Sequence, residues 1–206
     1  PRPLQKPHPP LWMPAESAES IEYAVSKRVP VARGFVPTVE MRDGFNYYRD
    51  CAQKIGWSPA PEYFMPLRNV YVAETMEQAR RESEKHLAYF YKYLIAATYR
   101  AKLGAAAEKQ GYRSERSYAY STQGAGQYSD RGARYMNFDF DTFQKEGDII
   151  VGDAEYVLDE IKHQSKEAGG IGVLMGLFKF GSLPHDLTVK NLKLFSERVM
   201  PKLRNV

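Results

Sequence analysis

Segments with strand spacing and segments with helix spacing alternate along this chain, and that alternation constrains the fold more than any other feature. Leu11-Trp12-Met13 is a short apolar run that stops at Pro14, and from Ser17 onward Ile21, Ala24 and Val25 share one helical face. Val29 to Phe35 is β-branched and apolar around Pro30. Thr38 then opens a stretch in which Met41, Phe45, Tyr48, Ala52 and Ile55 recur at helical steps. Gly56-Trp57-Ser58-Pro59 breaks that helix. Tyr63 to Ala73 reads as a strand, with Pro66 interrupting it or marking its edge. A long helix starts at Thr75, with Gln78 in the capping-box position, and runs to about Leu103 on the face of Met76, Ala79, Leu87, Phe90, Leu94 and Ala97.

Periodicity then fails from Gly104 to about Asp148, where Gly, Ser, Tyr, Arg and Gln dominate. Such a length is unusual for a loop inside a domain, so the stretch 104–148 is expected to be an insert, either a functional lid or a disordered excursion. A short helix is expected at Asp141 to Lys145. Asp153 is a plausible N-cap for a helix carrying Ala154, Val157, Leu158 and Ile161, and Gly169-Gly170 closes it. Ile171 to Phe180 is continuously apolar, as expected of a parallel strand buried on both faces. A last helix aligns Leu192, Phe195, Val199 and Leu203.

Strands that alternate with helices imply a parallel sheet with right-handed crossovers. About four strands are visible, whereas a closed (β/α)8 barrel takes eight strands and about 250 residues. The simplest reconciliation is that these 206 residues form one partial domain, half of a TIM-like barrel, behind a Pro-rich extended lead over residues 1–10.

Composition removes several classes. The apolar runs are far shorter than a membrane span, and the start resembles neither a signal nor a transit peptide. A formal charge of +4 is spread among Asp and Glu, without the basic footprint of a nucleic-acid binder. The single cysteine, Cys51, cannot form an internal disulfide and is expected to be a buried, inert thiol of a cytoplasmic protein. The histidines have no metal-ligand spacing: His86 and His163 are expected to be solvated on helices, and His185 to open the last helix.

Three stretches resemble the bacterial luciferase family of flavin monooxygenases. KPHPPLWMPAESAESIEYA is similar to the fifth strand and following turn, VGDAEYVLDEIKHQSKEAGGIGVLMGLFKFG to the last crossover helix and eighth strand, and LFSERVMPKLR to the C-terminal helix. The resemblance implies the C-terminal half of the barrel. It also implies an enzyme that uses reduced FMN, delivered by a separate flavin reductase, and dioxygen to oxygenate a small organic substrate. Relatives use coenzyme F420 for hydride transfer, and a non-catalytic flavin-binding protein is the remaining alternative. The family's Glu-Ser-x-x-Thr pattern at the FMN phosphate maps onto Glu16, Ser17 and Ser20, with serine replacing threonine, and Phe35 corresponds to an aromatic near the isoalloxazine.

Each of these residues has a plainer reading beside that one. Ser17 or Ser20 could cap the helix, Glu16 or Glu19 could complement its dipole, and Phe35 could be core. Arg33 and Gly34 at the same strand end are compatible with a ligand cavity. Arg113, Arg116, Arg131 and Arg134 of the insert could meet an anion or form a solvated basic loop. The basic partner of Glu16 and the catalytic groups are expected outside this chain, as are the first-half helices through which such proteins form homo-oligomers.

Overall fold

A computed structural model describes residues 2–98, 115–121 and 127–203. Its centre is a five-stranded parallel sheet: β1 (Met13–Pro14), β2 (Val31–Gly34), β3 (Phe64–Val72), β4 (Ile149–Gly152) and β5 (Met175–Leu177). The helices are α1 (Ala18–Ser26), α2 (Thr38–Lys54), α3 (Met76–Tyr89), α4 (Gln127–Met136), α5 (Phe140–Lys145), α6 (Ala154–Glu167) and α7 (His185–Leu194). Wider π-type turns continue α3 through Phe90–Ile95 and α7 through Phe195–Val199. Residues 2–11 are exposed and form no regular element, consistent with their proline content.

β3 is the spine of the sheet. Leu67 pairs with both Gly34 and Met175, and Asn69 with both Ile149 and Leu177. β2 and β4 therefore follow one another along one edge of β3, while β5 takes the other. Pro66 does not interrupt β3. It lies before β5 joins at Leu67, where β3 has a strand on one edge alone, the situation a strand proline tolerates. Beyond β5 the buried side chain of Asn191 takes over that edge. Its Oδ1 accepts from Val72 N–H at 2.8 Å and its Nδ2 donates to the Val70 carbonyl at 2.8 Å, so the ladder ends without orphaned groups.

Alternation sorts the strand residues into separate cores. Val70, Val72 and Ile150 pack with Val157, Ile161, Leu194 and Val199 under α6 and α7. Val31 and Phe64 pack with Ile21, Met41, Phe45 and Tyr48 under α1 and α2. On the opposite face, Tyr71, Ile149 and Val151 meet Leu87, Tyr91, Tyr135 and Phe143 from α3, α4 and α5. Gly169 and Gly170, at φ 72° and 93°, close α6 as expected, with Gly170 N–H donating to the Ser165 carbonyl at 2.8 Å.

Three expectations are corrected. The strand at Ile149–Gly152 was not legible: four residues buried throughout carry no alternation. α4 also falls inside the stretch without apparent periodicity, whereas α5 is the short helix expected there, ending at Lys145 and beginning one residue earlier, at Phe140. The expected strand over 171–180 shrinks to the three residues of β5, with Met175 43% exposed, because β5 is an edge strand and not a strand covered on both faces. The continuation of the long helix to Leu103 lies outside the described residues.

Candidate functional site

All strands are parallel, so the turns after β1 and β2 leave the sheet at one end, the end at which barrels of this architecture carry their chemistry. The turn after β1 delivers Glu16, Ser17 and Ser20 together. Ser17 is the N-cap of α1 in extended conformation, and a reciprocal capping box joins it to Ser20: Ser20 N–H donates to Ser17 Oγ at 3.2 Å and Ser17 N–H to Ser20 Oγ at 3.1 Å. The Ser20 hydroxyl proton goes to the Ser17 carbonyl at 2.8 Å, and that of Ser17 makes a longer contact to Ser20 Oγ at 3.3 Å. Helix capping is therefore a role both serines fill. The Ser17 hydroxyl, half-buried with the weaker donated bond, is the one most easily redirected to a ligand.

A buried ionic network lies behind this turn. Arg33 of β2 is 3% exposed; its Nη2 reaches Glu40 of α2 at 3.4 Å, and its Nη1 donates to Tyr120 Oη at 2.7 Å and to the Ala15 carbonyl at 3.3 Å. Gly44 makes room for it, since a Cβ there would stand 2.4 Å from Arg33 Nη1. Arg33 thus occupies the packing between β2 and α2 and does not line an open cavity. Tyr120 in turn donates to the Glu16 carbonyl and stacks on Tyr47 with ring centroids 4.9 Å apart. Burial pushes the Tyr120 hydroxyl above its usual range although Arg33 beside it pulls the other way, so it stays a proton donor.

Arg131 of α4 completes the network. Its Nη1 lies 3.2 Å from Glu16 Oε2, its Nη2 pairs with Glu40, and its side chain is 5% exposed. Two expectations change here. The basic partner of Glu16 is within this chain, and Arg131 does not belong to a solvated loop. No periodicity in 104–148 could have placed it; only the fold of α4 against the sheet does so.

The other insert arginines differ. Arg134 is held by Asp148, at 2.9 and 2.7 Å, and by Glu146 at 2.6 Å. Arg116 is exposed and pairs with Glu22 at 2.6 Å, next to Ser117, whose hydroxyl donates to Glu19 at 3.0 Å. Arg113 lies outside the described residues.

Phe35 follows the end of β2 at φ 59°, a left-handed conformation that costs a residue with a Cβ roughly 1–3 kcal/mol. Its carbonyl accepts from the Tyr135 hydroxyl, and its half-buried ring packs 5.4 Å from Phe90 and edge-on to Tyr91. The structure thus gives Phe35 a core contact and sets it just past the end of β2, the strand beside β1, outside the Glu16–Ser20 turn.

Other side chains also depart from expectation. His86 is buried, 5% exposed, with Nδ1 at 2.8 Å from Ser182 Oγ, whereas His163 and His185 are exposed and His185 opens α7. Cys51 is half-buried, and burial raises its thiol pKa despite the opposing Tyr47 hydrogen bond. Among the described residues no helix is long and apolar enough to cross a membrane.

The model of the luciferase-like monooxygenase family matches residues 1–171. The chain belongs to this family. A curated relative, the oxygenase component of the flavin-dependent trigonelline monooxygenase of Acinetobacter baylyi, is 32% identical over 98 residues, which are 47% of this luciferase-like chain and 27% of that protein. Among solved structures, monooxygenase RslO1 from Streptomyces bottropensis superposes with a TM-score of 0.66 at 20% identity, over 98% of this chain and 50% of its own. The oxygenating constituent of 3,6-diketocamphane monooxygenase from Pseudomonas putida, in complex with FMN, gives 0.63 at 18% identity over 93% and 48%. A coenzyme F420 dependent tetrahydromethanopterin reductase from Methanopyrus kandleri gives 0.56 at 16% over 95% and 51%. The luciferase-like chain therefore spans about half of these solved relatives, and their fold is the one its parallel sheet belongs to.

Proposed function

We propose that this half-barrel is part of an FMN-dependent monooxygenase of the two-component type, which receives reduced flavin from a separate reductase and oxygenates a small organic substrate. The observation that carries this reading is the Glu16–Ser20 turn: two hydroxyls and the first amides of α1, at the end of the parallel sheet where ligands of such folds bind. These groups fit a phosphate. The electropositive helix start and the Ser17 and Ser20 hydroxyls would hold it, with Arg131 at hand to neutralise Glu16. Bound reduced FMN would supply the electrons for activating dioxygen. This chain's contribution would be to anchor the flavin by its phosphate end, to set Phe35 near the ring, and to cover the mouth with residues of the insert, while the catalytic groups come from the other half. The trigonelline relative, an oxygenase component by name, supports the two-component arrangement.

The likeness to an F420-dependent reductase sustains a second reading, hydride transfer with F420. Both readings are tested on the full-length protein that carries this segment. FMN should bind more tightly than riboflavin, and Ser17→Ala combined with Ser20→Ala should weaken FMN about tenfold or more while sparing riboflavin, because charge-assisted hydrogen bonds are worth about 1.5–3 kcal/mol each. Unchanged FMN affinity in that double variant would refute the phosphate assignment, and turnover with reduced F420 but not with reduced FMN would transfer the proposal to the second reading.

A further inference from the structure

The phosphate reading leaves an electrostatic problem, and the buried network answers it. A phosphate at the first turn of α1 would come near two acidic residues, Glu16 just before the N-cap and Glu19 in the first helical turn. Anions so placed repel one another unless a cation stands between them. The cation in contact with Glu16 is Arg131. Its guanidinium is planar with five donors, suited to two oxyanions at once, and already spans Glu16 and Glu40. Tyr120, also from the insert, donates to the Glu16 carbonyl and accepts from Arg33. Two points of the insert, far from the turn in sequence, therefore converge on it.

Resting on the flavin-phosphate reading, we propose that Arg131 is the phosphate-binding arginine of this site, held ready by Glu16 and Glu40 and turned toward the phosphate when FMN binds. Cofactor occupancy and the position of α4 are then coupled. The phosphate draws Arg131 and, through it, the helix; without phosphate, Arg131 remains paired to the two carboxylates.

The test compares FMN with riboflavin, which lacks the phosphate, on the full-length protein by flavin fluorescence quenching. Arg131→Gln should weaken FMN at least tenfold and change riboflavin less than about twofold, and Arg131→Lys should recover part of the loss because it restores charge without the fork. If wild type binds both flavins equally, the phosphate reading itself fails and the inference falls with it. If wild type prefers FMN, Ser17→Ala/Ser20→Ala abolishes the preference and Arg131→Gln keeps it, the phosphate reading stands and Arg131 is excluded. Hydrogen exchange on the wild-type protein guards against variants that do not fold. Amides of residues 131–136 should exchange more slowly with FMN than with riboflavin at equal saturation, and identical exchange would overturn the coupling.

Discussion

At the scale of single residues, burial decides which polar groups the fold tolerates. Arg68 is fully buried on β3, yet its donors reach Gln164 Oε1 at 2.8 Å, the Val36 carbonyl at 3.1 Å and Met41 Sδ at 3.2 Å, so a charge that burial penalises is covered by acceptors from α2, α6 and the β2–α2 turn. His86 is a weaker case. Burial, with Lys85 nearby, pushes its imidazole below the usual 6.5, so the folded protein holds it neutral. As pH falls through 6.5 the unfolded chain takes up a proton that the folded one refuses, and stability is lost on the acid side. Urea unfolding should show this decline between about pH 7.5 and 5.5, and His86→Gln should flatten it relative to wild type; equal slopes would mean that the imidazole does not govern it. Sequence placed His86 on a helix but judged it solvated. Its burial comes from the loop after β5, where Ser182 meets it across 96 residues of sequence.

At the scale of elements, local signals located most helices and failed where tertiary packing set the terms. Ser17 before Ile21, Ala24 and Val25 announced α1, and Thr75 and Asp153 announced α3 and α6, because caps act on their own backbone neighbours. Gly44 in the middle of α2 has no such local reason. Alanine would favour the helix by about 1 kcal/mol. Its Cβ, however, would meet the Arg33 guanidinium at 2.4 to 2.8 Å and displace it from Glu40 and Tyr120. Disturbing a buried ion pair costs about 3–5 kcal/mol, so Gly44→Ala should lower stability by roughly 2–4 kcal/mol in denaturant melts. In an Arg33→Met background the same change should be near neutral or stabilising. A loss of equal size in both backgrounds would show that Arg33 is not the cause.

At the scale of the whole molecule, β1 and β5 are each paired along one edge alone among the described residues. Met175 on β5 is 43% exposed, whereas β3 and β4 are buried almost throughout. Exposed strand edges beside apolar surface template association. Expressed as these 206 residues, the chain should self-associate with concentration in sedimentation velocity, and Met175→Lys should reduce it. A monodisperse monomer at all concentrations would count against an open half-barrel. The sequence by itself determined the alternation of strands and helices, the caps, and the Glu16-Ser17-Ser20 turn, because these follow from side-chain periodicity and short-range hydrogen bonds. Tertiary structure alone decided that β4 pairs with β3 beyond the end of β2, that Asn191 closes the opposite edge, and that Arg131 meets Glu16 across 115 positions. Those partners are fixed by which buried donors and acceptors must satisfy one another, a requirement that exists only once the chain has packed.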